Sequence, residues 1–358
     1  MGLWHPTMAN LGLRLRILVT GHNGYIGSIL CRLLMDAGHD VVGLDSYLFE
    51  SCTFGMDVPD VASIRKDIRD VTLDDLEGVQ AICHLAGISN DPVGDLDPEV
   101  TYEINHRASV RLAELGVLIG VERFVFSSSC SIYGSAPGGW VDEESEINPV
   151  TPYGHSKIRV ENDLSLMASD RFSPVFLRNA TAYGVSPRLR ADLVVNNMVG
   201  YSVTQGRVLM TSDGTPWRPL VHVEDISRAF LAVVEAPREA IHNSVFNVGT
   251  TAENYQILDL AAIVERTVPG AQFEMANSAG PDIRNYRVDC DKIGSVVPSF
   301  KPKWAVEAGV QELYEAFTTA RLTEDEFLGH LLRIRHIKSE QDSGRLGSDL
   351  RIVAGVDV

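Results

Sequence analysis

Leu15 to Thr20 (LRILVT) is a short apolar run that leads directly into Gly21-His22-Asn23-Gly24-Tyr25-Ile26-Gly27, where glycine recurs every third residue. From Tyr25 to Ala37 the apolar residues fall at helical spacing, and Gly38 ends the run. The order is that of a buried strand, a tight turn and a helix. Gly21 can make the turn, Gly24 lets the backbone approach a pyrophosphate, and Gly27 lets the helix pack close to the strand. The helix N-terminus then offers free N–H groups and the positive end of its dipole to phosphates, with no lysine required. Gly21, Asn23, Gly24, Tyr25, Ile26 and Gly27 are therefore candidate dinucleotide contacts. Asp45 ends the second expected strand, 24 residues beyond Gly21, close to the ~20 expected of a ribose-binding acid. A carboxylate there accepts from both ribose hydroxyls and repels a 2′-phosphate, which favours NAD over NADP. Asp67-Ile68, after the third expected strand, could meet the adenine amino group, although a plain turn aspartate carries the same signature.

The alternation persists along the chain. Strands are expected at Val41–Leu44, near Ala62–Arg65, near Ala81–Ala86, at Arg123–Ser128 and at Val175–Arg178. Helices are expected from about Pro98 to Ile119 and from about Pro152 to Ala168. Such alternation implies βαβ units and a doubly wound parallel α/β sheet, with right-handed crossovers placing helices on both faces. After Thr181 the rhythm loosens. A helix near Leu193–Thr204, a strand Val208–Met210 and a turn Ser212–Pro216 precede Leu220–His222 and Ser244–Val248. The last two read as further strands of the first sheet, with a helix Val223–Glu235 between them. Residues 251–330 hold helices and one expected strand, Gln272–Met275, which suggests a smaller C-terminal lobe. The stretch from about Ser339 is polar and contains glycine, so loose order is expected.

The chain has 358 residues, 45% of them hydrophobic and 22% charged, enough to bury a sizeable core. A formal charge of −17 argues against non-specific nucleic-acid binding. An anionic ligand must then be held by local groups against the overall field. The five cysteines are scattered, with no metal-ligand spacing. They read as reduced thiols of a cytoplasmic protein, and no metal is expected. No signal peptide is expected at the N-terminus, and no apolar run reaches the ~20 residues of a membrane helix.

Tyr153-Gly154-His155-Ser156-Lys157 lies in a helix opened by Pro149 and Pro152. An i, i+4 spacing puts Tyr153 and Lys157 on one face. An ammonium beside a phenol favours the phenolate, and such a tyrosine can take a hydroxyl proton while hydride leaves the carbon. Ser127-Ser128-Ser129 ends the fifth expected strand, beyond which ligands bind in open parallel sheets. A hydroxyl there can hydrogen-bond the reacting oxygen.

Glycine turn, strand-end serines and YxxxK, in this order, resemble the extended short-chain dehydrogenase/reductase family, in particular its NDP-sugar epimerase/dehydratase branch. The resemblance runs from about Leu15 to about Leu322. It includes His84-Leu85-Ala86-Gly87, Asn105, Arg178-Asn179-Ala180-Thr181-Ala182-Tyr183-Gly184, Asn196-Asn197, and Gly214-Thr215-Pro216-Trp217-Arg218 leading to Leu220-Val221-His222-Val223-Glu224-Asp225. It implies a Rossmann-type doubly wound parallel sheet with a smaller C-terminal substrate-binding lobe. Residues 15–180 with about 220–250 would bind NAD, and 181–219 with 251–336 would bind the substrate. Residues 1–14 would be an extension and 337–358 a flexible tail.

By the same resemblance Tyr153 is the acid/base, Lys157 orients the cofactor ribose, and Ser129 hydrogen-bonds the oxygen being oxidised. Leu85, Ala86, Gly87, Asn105 and Ser127 join the cofactor set. Ser89, Ser131, Asn179, Asn197, Arg218 and Arg284 join Ser129 in the substrate set. Arg188, Arg190 and Arg287 could add phosphate or sugar contacts, or could be surface charges. The implied partner is an NDP-sugar, together with a second copy of the chain through the YxxxK helix and the one before it. Val110, Leu112, Leu115 and Leu118 would supply apolar surface there, or core. Sugar 4,6-dehydratases of the branch carry an Asp-Glu pair where this chain has Cys130-Ser131, which disfavours water elimination. Cys130 reads as a small buried residue rather than a thiolate base. The leading expectation is an NAD-dependent epimerase acting by transient oxidation at C4. A keto-sugar reductase or dehydrogenase that exchanges its cofactor uses the same triad. A non-catalytic nucleotide sensor is the third reading, and intact Ser129, Tyr153 and Lys157 speak against it.

Overall fold

A computed structural model describes residues 14–280 and 285–353. Seven strands form one parallel sheet: β1 (Arg16–Thr20), β2 (Asp40–Asp45), β3 (Ala62–Arg65), β4 (Ala81–His84), β5 (Arg123–Ser129), β6 (Ser173–Asn179) and β7 (Ser244–Val248). Their spatial order is β7-β6-β5-β4-β1-β2-β3. The winding reverses between β1 and β4, so a crevice opens beyond their C-terminal ends, where such sheets bind ligands. Four helices flank the sheet: α1 (Gly27–Asp36), α2 (Ala108–Ile119), α3 (Pro152–Met167) and α4 (Val223–Glu235). Successive side chains of a strand point to opposite faces. Ile17 and Val19 therefore enter one core, with Leu30, Leu34 and Phe230 of α1 and α4. Leu18 enters the other, with Leu112 of α2 and Val160 of α3.

The expected single helix over 98–119 is interrupted. Pro98–Tyr102 gives way to a π turn at Glu103–Arg107 before α2 begins. The wider turn turns Asn105 towards the loop after β4, where it accepts from the Ile88 N–H (2.7 Å) and donates to the Ile88 carbonyl (2.8 Å).

Leu220–His222 does not belong to the main sheet. Residues Trp217–His222 run parallel to Thr181–Tyr183 and antiparallel to Asn254–Gln256 in a three-stranded sheet of their own. β7 already occupies the free edge of β6, so no place remains there. The strand instead lies on a seam: Val221 packs into the sheet core, while Leu220 packs with Tyr183, Val195, Leu260 and Phe317 in a separate core. Arg207–Ser212 pairs with Gln272–Gly280, and Ser135–Val141 pairs with Asn285–Val288. The sequence reading contained neither of the last two strands.

The described part of 337–358 is not a loose tail. Arg333–Asp342 is a helix, and Ile337, Leu346 and Leu350 are buried in the α2–α3 core. Arg351 pairs with Asp70 (Nη2 to Oδ1, 3.1 Å), and Arg69 donates to the Asp349 carbonyl (2.9 Å). Sparse apolar residues and ion pairs anchor a segment whose average composition is polar. Residues 1–13 and 354–358 lie outside the described residues.

Candidate active site

A cavity of about 890 Å³ opens along the C-terminal ends of β1, β2, β4 and β5 and runs towards the second core. Its floor is the glycine turn. Gly21 has φ +74°, and a Cβ there would lie 2.8 Å from the Ala86 nitrogen. A Cβ on Gly27 would lie 2.1 Å from the Gly21 carbonyl oxygen. These positions accept only glycine, and the resulting hollow before α1 has the form that suits a phosphate group.

The turn is bolted to the segment after β6. The Tyr25 hydroxyl donates to the Gly184 carbonyl (2.8 Å), and the Ser186 hydroxyl donates to the Tyr25 carbonyl (2.7 Å). Ser28 and Ser186 share a hydrogen bond of 3.2 Å. Arg188, expected only as a phosphate contact or surface charge, grips the Asn23 side chain through Nε (3.0 Å) and Nη2 (2.8 Å). Asn23 thus stands behind the cavity wall, as Asn105 does, while Gly21, Gly24, Tyr25, Ile26 and Gly27 line it.

Asp45 lines the same cavity and accepts from the N–H groups of Tyr47 (2.7 Å) and Asn23 (3.1 Å). Burial raises its carboxyl pKa against those donors. Asp67 and Ile68 lie beyond it on the cavity edge. Burial opposes the Asp67 charge, but Arg69 holds it below the ordinary carboxylate range through Nε (2.9 Å) and Nη2 (2.6 Å). Its side chain is thereby turned to Arg69. Leu85, Ala86, Gly87 and Ser89 follow β4 along the opposite wall.

Ser127, Ser129, Ser131, Tyr153 and Lys157 meet at the end of β5. Lys157, 4% exposed, donates to the Ser127 carbonyl (2.7 Å), with its Nζ 5.4 Å from the Tyr153 ring centroid. Burial brings the ammonium down to about 7, with Glu161 acting against it. Burial pushes the Tyr153 phenol up to about 12, while a hydrogen bond with Ser129 and the charge of Arg190 pull it back. Those two groups favour the phenolate. Cys130 is buried, donates to the Arg178 carbonyl (3.1 Å), and its thiol pKa is raised by burial, so it is no base. Behind the serines, Glu161 and Arg178 form a buried pair (2.7 Å), with the Ser128 hydroxyl on Glu161 (2.5 Å).

The far wall carries Asn179, Asn197 and Arg218. Asn179 donates to the Ser127 hydroxyl (3.0 Å), Asn197 to the Ala191 carbonyl (2.9 Å), and Arg218 to the Trp217 carbonyl (2.8 Å). The Asn179 Oδ1 and Ser131 Oγ atoms are buried with no partner. Arg284 lies outside the described residues. The sequence reading left Arg190 undecided and passed over Asp192 altogether. They pair inside the cleft (Nη2 to Oδ2, 2.6 Å), and Arg190 also donates to the Ser89 hydroxyl (2.9 Å). Arg333 of the C-terminal helix lines the cavity as well. Nothing in sequence placed it there. Glycine cradle, strand-end acid and orphaned polar atoms fit a dinucleotide with a second polar ligand beside it.

The family model described as the NAD dependent epimerase/dehydratase family matches residues 17–249. A UDP-glucose 4-epimerase of Mycolicibacterium smegmatis is 30% identical over 315 residues, covering 85% of this chain and 98% of that protein. The UDP-glucuronic acid 4-epimerase of Bacillus cereus, solved with UDP-glucuronic acid and NAD, is 26% identical with a TM-score of 0.73, over 85% of this chain and 99% of that one. MoeE5, solved with UDP-glucuronic acid and NAD, is 27% identical with a TM-score of 0.72, over the same shares.

Proposed function

The chain belongs to the NAD-dependent epimerase/dehydratase family, and on that premise we propose that it epimerises a UDP-linked sugar at C4, with Tyr153 as acid/base. The observation that carries this reading is the convergence of Ser129, Tyr153 and Lys157 on the cavity that the glycine turn floors. The cofactor is NAD, which when bound accepts a hydride and returns it. Gly21, Gly24, Tyr25, Ile26 and Gly27 would hold its phosphates, Asp45 its adenosine ribose, and Lys157 the other ribose. Tyr153 takes the C4 hydroxyl proton while Ser129 hydrogen-bonds the same oxygen, and later gives the proton back. Asn179, Asn197 and Arg218 face the sugar nucleotide, so the arginine supplies the local positive charge that an acidic chain needs. Two of the relatives named above, those of Mycolicibacterium smegmatis and Bacillus cereus, are 4-epimerases, and the Cys130-Ser131 positions lack the carboxylates of a dehydratase.

We assign cofactor binding to residues 15–180 with about 220–250, and sugar binding to 181–219 with 251–336. The chain would pair with a second copy through α2 and α3. Leu118 and Leu166 are 73% and 86% exposed there, whereas Leu112 is core and Val110 and Leu115 pack against it. All five cysteines are free and buried, which suits a cytoplasmic protein. Among the described residues no helix is long and apolar enough to cross a membrane.

The test is to denature the purified protein and identify the nucleotide released, then to incubate it with UDP-glucose, UDP-galactose and UDP-glucuronate without added cofactor. Stoichiometric NAD⁺ and interconversion of C4 epimers without accumulating NADH are expected. A protein that needs stoichiometric NADH or NADPH is a reductase, and the proposal fails.

A further inference from the structure

We propose that Arg333, carried by the C-terminal helix Arg333–Asp342, clamps the pyrophosphate of NAD from the side opposite the glycine turn. The inference rests on the NAD-dependent reading above. Arg333 is 3% exposed and lines the cavity together with Gly21, Gly24 and Asp45. Its Nη2 donates to the Arg188 carbonyl (3.0 Å), and Arg188 in turn grips Asn23 of the turn. Its guanidinium carbon lies 4.4 Å from the ring centroid of Phe49, four residues beyond Asp45. Arg333 is thus tied both to the ribose-side loop and to the phosphate cradle, the interval that a pyrophosphate occupies in a dinucleotide.

The guanidinium is only partly satisfied by the protein. Its Nη1 is buried with no hydrogen-bond partner. Asp192, the carboxylate that acts on it, already holds Arg190 through both oxygens (3.2 and 2.6 Å) and accepts from Asn90. The neighbouring Cys52 thiol hydrogen-bonds the guanidinium, but burial raises its pKa, so it supplies no charge. Arg333 also opens its helix. That helix has no side-chain cap and no acid in its first turn, and Leu332, Arg333 and Ile334 put this end on the cavity. The positive end of the helix dipole and the arginine therefore add rather than cancel. A buried cation with an idle donor at such a place is unfavourable unless an anion meets it. A fork-shaped donor suits two phosphate oxygens.

The experiment compares wild type and Arg333→Gln, both stripped of nucleotide, by calorimetric titration with NAD, ADP and adenosine. Loss of a charge-assisted contact should weaken NAD and ADP about 10–100-fold and leave adenosine unchanged. Equal weakening of all three makes Arg333 mere wall packing and overturns the proposal. Unchanged NAD affinity with a raised KM for the UDP-sugar gives the guanidinium to the substrate and overturns it as well. If wild type binds no NAD, the reading on which the inference rests is what fails. Should the variant not fold, hydrogen exchange on wild type decides. Amides of residues 333–337 should slow with ADP and NAD but not with adenosine, and no such difference overturns the clamp.

Discussion

Two arginine–carboxylate pairs, one buried and one part-buried, sit on opposite sides of the cleft. Arg178–Glu161 joins β6 to α3 behind the serines, with its side chains 5% and 4% exposed. Arg190–Asp192 stands on the far wall, 13% exposed on each side, with Ser89 and Asn90 as further partners. The first is closed off: Arg178 also donates to the Tyr133 hydroxyl (3.0 Å), and Glu161 is capped by Ser128. The second lines the cavity and acts electrostatically on Tyr153. The same chemistry thus closes the interior in one place and faces the cavity in the other.

Substitution separates the two roles. Arg178→Met leaves Glu161 buried and unpaired, and should lower unfolding stability by about 3–5 kcal/mol, read from urea midpoints. If it instead spares stability and only slows turnover, the contrast collapses. Tyr153→Phe should cut kcat about 10²–10⁴-fold while stoichiometric NAD still comes off the denatured protein. Lys157 tests the serine side of the cavity through pH. Its folded pKa is lowered from 10.5 to about 7, so the unfolded chain holds more protons between these values and stability rises with pH there. The penalty of the buried ammonium is complete below about 7 and gone above the unfolded value. Wild type should therefore gain about 2 kcal/mol on Lys157→Met between pH 7 and pH 9 in paired urea titrations. No gain would mean that the ammonium keeps its charge. Arg190→Met should cost about 1 kcal/mol of stability yet lower kcat/KM about tenfold, with the ascending limb of the pH profile moved to higher pH as Tyr153 loses a positive neighbour.

Much of this was legible from sequence, and the boundary has a physical cause. The glycine turn, Asp45 and the Tyr153/Lys157 spacing are local features, written in neighbouring residues and in one helix period. The sheet followed from alternation. Its edge did not: nothing in Leu220–His222 says that β7 has already taken the place beside β6. Arg190, Asp192 and Arg333 were visible as residues. That 190 and 333 meet the cavity opened by residues 21–45 is a fact of tertiary packing. The stretch after Ser339 was read by average polarity, whereas Leu346 and Leu350 hold it by position. Burial of Tyr153 and Lys157 set their proton affinities in ways that i, i+4 spacing does not report.

Tyr25, Ser28 and Asn23 of the cofactor turn are fastened to Gly184, Ser186 and Arg188. The segment leading into the second lobe therefore cannot swing away while the turn keeps its shape. The shape that the turn offers to a ligand is thus held from behind by that segment, and opening these bonds is a local unfolding rather than a loop's ordinary breathing. Weakening Ser186, which does not line the cavity, should therefore loosen the grip of the turn on a bound nucleotide.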